Sequence, residues 1–268
     1  MRRRPGLSLT FPKVEGKLQL LAEKNLNLEI QLSWESAENF PDALLEKILS
    51  WKKSTGSRIT LHAPFMDMSP GGSDPLVRQA TLMRFAQTSV LAGRLNAETI
   101  VVHPGYDENR YWKDANGFVT RAVEMWARLL ELTGESGCLI ALENIFERGP
   151  ELLRRVVDEV GSQRFGICFD SGHFNMFSKT PLNDWMDSLG GKIVELHLHN
   201  NYGERDDHNG MASGTFDFAQ LFSKLDEVGA KPILVMEPHQ EDGLDESLKV
   251  LESLGVGKAN NLPSSSLT

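Results

Sequence analysis

Cysteine is nearly absent from this chain, and basic charge is in deficit. Only two of the 268 residues are cysteines, Cys138 and Cys168. Each lies inside an apolar run, which speaks against a disulfide framework and fits a reducing, cytoplasmic setting. Lys and Arg number 28 against 37 Asp and Glu, a formal net charge of −9, so nothing here attracts nucleic acid or an anionic membrane from a distance. A polyanionic partner would need a local basic patch or bound cations. No run of about 18 or more apolar residues occurs, so no membrane-spanning helix is expected. The opening MRRRPG is basic like the start of a secretion signal, but the LSLTF that follows is too short and too polar for a signal's apolar core. No linker-like stretch divides the chain either. Only the final KANNLPSSSLT reads as a loose polar tail, giving one domain over residues 1–257 and a tail over 258–268.

What is present is a repeat of two periods. Short apolar, β-rich runs alternate with longer stretches of helical spacing, eight times over. The strand candidates are residues 7–11, 26–32, 58–62, 99–103, 138–143, 165–170, 193–199 and 233–237. Among the helical stretches, PDALLEKILSWKK, FVTRAVEMWARLLELTG, PELLRRVVDEVG and DFAQLFSKLDEVG place apolar residues at three- and four-residue steps. Pro or Asp opens three of these, and Gly closes three. Eight βα units in this length predict an α/β fold, a single-domain (β/α)8 TIM barrel whose parallel sheet is buried on both sides.

The strands end alike. RITLH stops at His62, TIVVH at His103, CLIALE at Glu143, FGICFD at Asp170 and PILVME at Glu237, while IVELHLH offers His197 and His199. Alternation along that last strand points Glu195, His197 and His199 toward the barrel axis. In this fold the carboxyl ends of the strands build the active site, so polar groups from six strands converge on one mouth. A lone strand-end histidine or carboxylate usually caps or packs. Six strands delivering such groups to one small volume would oppose like charges and lone pairs in low dielectric, a conflict that a divalent cation resolves. His, Asp and Glu without thiolate suit zinc or manganese and do not discriminate between them.

The motifs LHAPF, VVHPG, ALEN, FDSGH, HLHNNYGERDDHNGMASGTFDF and VMEP, in this order, resemble the xylose isomerase-like barrel superfamily. It contains sugar isomerases and epimerases as well as the endonuclease IV group of abasic-site repair enzymes. By that resemblance, Glu143, Asp170, His197 and Glu237 match the four ligands of a single catalytic metal in the isomerases. His173 matches a residue that touches substrate in isomerases and binds metal in the endonuclease. His62, His103, Asp206 and His208 match further ligands of the endonuclease's three-zinc cluster. The resemblance therefore implies one to three divalent ions, with Glu143, Glu237 and His173 as catalytic groups.

Other residues have open readings. His199 orients His197 or a substrate hydroxyl, or simply ends a strand; Arg205 holds a substrate phosphate or pairs with neighbouring acids. Phe65, Trp112 and Phe174 wall the pocket or merely pack. His239 is expected at the rim, Glu195 to be structural and hydrogen-bonded, and SPGGSDP to be a helix-entry turn. Two chemistries remain in view. One is a metal-dependent isomerase or epimerase of a small sugar, sugar phosphate or polyol, in which one glutamate removes a proton and the other returns it. The alternative is an endonuclease IV-like multinuclear phosphodiesterase. The charge balance and the Ala63-Pro64-Phe65 segment, standing where the endonuclease carries a tyrosine-bearing wedge, disfavour DNA without excluding it. The small-sugar reading is preferred. Sequence does not specify the oligomeric state.

Overall fold

The structure, a computed structural model, describes residues 4–134 and 136–256. The tail expected over 258–268 lies outside the described residues. Eight parallel strands close into a barrel in chain order: β1 (Gly6–Thr10), β2 (Asn27–Gln31), β3 (Ile59–His62), β4 (Thr99–Val102), β5 (Leu139–Glu143), β6 (Phe165–Asp170), β7 (Ile193–Leu198) and β8 (Ile233–Met236). The expected (β/α)8 barrel in a single domain is the observed one. Among the described residues, no helix is long and apolar enough to cross a membrane.

The strands hold together as the sequence requires. All six residues of β6 are buried, as they must be when helices cover one face and the barrel interior the other. The helix Ala115–Leu132 turns Phe118, Val119, Ala122, Met125, Trp126, Leu129 and Leu130 inward, one apolar stripe at helical spacing. The helix Pro75–Leu95 begins where the Asp74 side chain accepts from the Leu76 amide, with Pro75 in its first turn. SPGGSDP is thus the helix-entry turn anticipated. Inside the barrel, Val101, Ala141 and Cys168 form a small apolar plug, with Glu195 in register with Cys168 and the strand-end polar groups beyond it.

Strand ends differ from the sequence reading by a residue. Ladder pairing stops at Val102, Leu198 and Met236, so His103, His199 and Glu237 stand just past their strands, where the backbone turns outward. Register brings the site together: Asp170 pairs with His197 across β6 and β7, and His62 pairs with Gln31 across β2 and β3.

One glycine is fixed by contact. A Cβ on Gly172 would lie 2.0 Å from Cε1 of His199, so only glycine lets the turn after β6 pass this ring. The same turn is tied to β7, because the Ser171 hydroxyl donates to the carbonyl of His199 at 2.7 Å. Gly172→Ala should therefore lower the free energy of unfolding by roughly 1–3 kcal/mol, the usual cost of overpacking. Denaturant melting measures this, and an unchanged midpoint with unchanged slope would contradict the contact.

Candidate metal centre

The mouth of the barrel gathers its side chains around His197. Its Nδ1 lies 3.3 Å from Oε1 of Glu143, 3.5 Å from Oε1 of Glu237 and 3.9 Å from Oδ2 of Asp170. The opposite nitrogen, Nε2, faces Oε2 of Glu29 at 3.4 Å. Glu29 is held in turn by the hydroxyls of Ser8 and Thr60, at 2.9 and 3.1 Å. A proton on Nε2 shared with Glu29 makes Nδ1 the nitrogen that faces the three carboxylates, the arrangement in which an outer carboxylate orients a metal-binding imidazole.

Two further groups flank this one. His62 and His103 both bring Nε2 to Oε2 of Glu143, at 3.1 and 3.2 Å, and to within 3.2 Å of each other. On the other side, His173 and His208 bring Nε2 to Oδ2 of Asp206, at 3.4 and 3.2 Å. Three of these rings have the remaining nitrogen committed to a backbone carbonyl. Nδ1 of His62 donates to Ala63, of His173 to Asn144 and of His208 to Glu237, at 2.8, 3.0 and 3.0 Å. Because a carbonyl only accepts, Nε2 is the nitrogen left facing into each cluster, where it can carry the ring's second proton or, once that is lost, offer a lone pair. Ligand atoms of His62, His103 and Glu143, of Glu143, Asp170 and His197, and of His173, Asp206 and His208 lie within 4.8 Å of one another in each set. These three groups bring together eight of the nine residues matched by resemblance, and the ninth, Glu237, joins them through its Oε1, 3.5 Å from Nδ1 of His197. Nitrogen and oxygen donors without sulfur, with outward nitrogens already fixed, fit zinc or manganese.

The electrostatics match. Burial would raise Glu143, but the imidazoles of His197 and His103 outweigh it and hold its carboxyl well below the usual range. Burial would likewise lower His173, yet Asp170, Asp206 and Glu143 raise it well above the ordinary value. His197 is raised well above it too, against its burial, by surrounding groups that include Glu237, Glu29 and Glu143. His208 is lifted to about 9, chiefly by its bond to Asp206 acting against burial. His103 is the exception: burial pushes it down to about 4, so it is neutral. The charges neutralise one another in pairs, as buried carboxylates and imidazoles must when nothing else compensates them.

The structure separates the remaining sequence candidates. His199 does not orient His197; its Nε2 bonds Oδ2 of Asp170 at 2.9 Å, and its ring stacks on His208 at 3.8 Å. His239 stacks on the other face of His208 at 4.1 Å, a rim position as expected. Phe65 stacks on His103 at 4.7 Å and lines a cavity of about 810 Å³ that opens from His103, His173 and Asp206. Trp112 does not line that cavity; it lies in the turn just past the short helix Glu108–Tyr111, 66% exposed, beneath the ammonium of Lys113. Arg205 is also outside, its side chain 85% exposed and 3.9 Å from Asp207. Phe174 packs among Phe169, Trp185 and Phe216 instead of walling the pocket. Glu195 was expected to be hydrogen-bonded, yet neither of its oxygens has a hydrogen-bond partner. Neighbouring Glu29 already accepts from Ser8 and Thr60 and faces His197. Burial and the Glu29 charge push Glu195 well above the usual carboxylate range, so it is held as a neutral acid.

Several residues were missed. Glu29 and Gln31 face inward from β2, and Gln31 donates to Oε1 of Glu237 at 3.3 Å. The alternation of Asn27, Glu29 and Gln31 was the available signal. Glu147 is buried, pushed up to about 7 by that burial, with Oε2 accepting from the Ile145 amide at 2.7 Å. Nothing local marks it apart from a surface glutamate.

Known proteins share this architecture. An uncharacterized protein of Methanocaldococcus jannaschii, MJ1311, is 29% identical over 186 residues, covering 67% of this chain and 64% of that protein. A D-tagatose 3-epimerase-like protein superposes with a TM-score of 0.80 at 23% identity, covering 95% of this chain and 97% of its own. The TTHB071 protein of Thermus thermophilus, soaked with ZnCl2, gives 0.78 at 26%, covering 97% and 100%. The D-psicose 3-epimerase of Clostridium cellulolyticum gives 0.77 at 14%, covering 97% and 100%. Structural neighbours of the fold thus include sugar epimerases. The xylose isomerase-like TIM barrel family model matches residues 27–254, from the second strand to the last helix, and on the strength of that match this chain belongs to the xylose isomerase-like TIM barrels.

Proposed function

We propose that the protein is a divalent-metal-dependent isomerase or epimerase that moves a proton on the carbon beside the carbonyl of a small sugar or polyol. The observation that carries this reading is the convergence of Glu143, Asp170 and Glu237 on Nδ1 of His197, at a mouth open to a large cavity. Glu143, Asp170, His197 and Glu237 would hold the ion, zinc or manganese, which when bound polarises a carbonyl and its neighbouring hydroxyl and so acidifies the C–H between them. Glu143 is kept ionised by its imidazole neighbours, ready to accept that proton. Glu237 comes from β8, on a different side of the ring from β5, and would return a proton to the other face. His173, fixed through its Nδ1 to the Asn144 carbonyl, would position a substrate hydroxyl. Both thiols are free and buried, with Cys138 pushed up to about 12 by its burial, which fits a reducing cytoplasm.

A second reading has one specific observation in its favour: the two flanking ligand groups complete a nine-residue set able to hold as many as three ions. Such a centre would suit phosphodiester hydrolysis. Against it stands the outer part of the cavity beside the centre, where Asp67, Asp74 and Asp107 meet Arg110 as the one lysine or arginine among the described lining residues. That lining repels a phosphate backbone, and with the net charge of −9 it favours the sugar.

Two outcomes follow. Imidazoles raised above their ordinary range must shed protons to bind metal. Zinc titration at pH 7, followed by calorimetry in two buffers of different ionisation enthalpy, should show proton release, and affinity should climb as pH rises toward the value of about 9 at His208. Binding without proton release would contradict the assigned ligands. In deuterated water the metal-loaded protein should place deuterium beside the carbonyl of its ketose. Glu143→Gln or Glu237→Gln should slow this by about 10²-fold or more, with metal content followed in parallel. Nicking of an abasic duplex that is lost on chelation, with no exchange into any ketose, would favour the hydrolase instead.

A further inference from the structure

We propose that the cavity beside His103 and His173 is a subsite for an uncharged, apolar substituent, so that the substrate is a sugar carrying an aryl or alkyl group and not a free or phosphorylated sugar. This rests on the isomerase reading for the sugar end and extends it outward from the metal centre.

Volume comes first. At about 810 Å³ the cavity lies in the upper part of the roughly 300–1,000 Å³ range of pockets that enclose drug-sized ligands. A monosaccharide seated at the carboxylates would leave most of it unfilled. The lining then gives the chemistry. Phe65, Met66, Val77 and Phe146 are 40%, 71%, 41% and 56% exposed, all around the same cavity. Large apolar side chains left open together mark a binding surface, whereas scattered single ones do not. Phe146 meets Phe177 edge to face at 5.0 Å, which steadies one wall. The Phe65 ring lies flat on His103, 23° from parallel, and forms a continuous aromatic step from the candidate ligand to the apolar wall. A ring entering along that step finds offset-stacking and edge contacts already oriented for it.

Charge in the outer part of the cavity disfavours the common alternative. A sugar phosphate extending into this space would meet Asp67, Asp74 and Asp107, with Arg110 as the one lysine or arginine among the described lining residues. Two of those acids also cap helices, Asp74 accepting from Leu76 and Asp107 from Asn109, each at 2.8 Å. Their orientation is thereby fixed, so they do not swing away from an anion.

The test compares three forms of each ketohexose: the free sugar, its 6-O-benzyl ether and its 6-phosphate. Calorimetry on zinc-loaded protein reads binding, and deuterium exchange on the same samples reads the chemistry of the sugar end. For the ketohexose that fits, the benzyl ether should bind at least about tenfold more tightly than the free sugar, and the phosphate no more tightly than the free sugar. Phe146→Ala and, separately, Val77→Asp should bring the benzyl ether to within about threefold of the free sugar. Both positions are exposed, so both variants should melt like the parent. A benzyl ether that never outbinds its free sugar, or a phosphate that binds best, overturns the proposal. Absence of exchange with every form, together with a benzyl-ether advantage that Phe146→Ala removes, would sink the isomerase reading and support the subsite.

Discussion

Three carboxylates within 3.9 Å of one imidazole nitrogen, inside a barrel mouth, create a charge problem that the surrounding residues answer. In low dielectric such groups stay ionised only if something compensates them. Here the compensation comes from protonated imidazoles, which explains why His173, His197 and His208 are raised while Glu143, Asp170 and Asp206 are lowered. In the proposed centre, binding a divalent ion would release those protons. The outward nitrogens tell the same story, since Glu29 and the carbonyls of Ala63, Asn144 and Glu237 fix the rings of His197, His62, His173 and His208. The fold has settled which nitrogen faces inward before any ligand arrives.

Close packing converts this chemistry into geometry. Asp170 ends β6 and caps the helix Ser171–Phe177 through the His173 amide at 2.7 Å. Its second oxygen is held by His199. His199 in turn fills the space that glycine leaves at position 172, and stacks on His208, which stacks on His239. His208 adopts a left-handed backbone, φ 47, which is costly for a residue with a Cβ and places its ring in that stack. A small displacement at any member would move a carboxylate or imidazole of the centre.

Much of this was legible in the sequence because two signals coincide. The alternating βα period fixes the barrel, and six of the eight strand candidates end in a His, Asp or Glu that the fold then carries to the mouth. What stayed hidden depends on contacts between distant segments. Glu29 sits in mid-strand, and only the closure of β2 toward β7 reveals that it meets His197, 168 residues on. Trp112 and Arg205 lie close in sequence to cavity or metal-centre residues, but short loops orient them to solvent, a choice set by backbone direction and not by residue type. Glu195 reads as an ordinary strand residue until the fold buries it beside Glu29, whose charge keeps it protonated. The apolar wall of Phe65, Met66, Val77 and Phe146 is drawn from three separate segments, none of which is distinctive alone.

The sugar and phosphodiester readings share the same centre and differ in what stands beside it, so the location of the metal underlies both. Anomalous diffraction at the zinc edge from zinc-loaded crystals tests it most directly. The account predicts an ion about 2.0–2.2 Å from Nδ1 of His197 and from the carboxylates of Glu143, Asp170 and Glu237, with Nε2 of His197 still facing Glu29. An ion bound outside the barrel mouth, or one coordinated through Nε2 of His197, would contradict it.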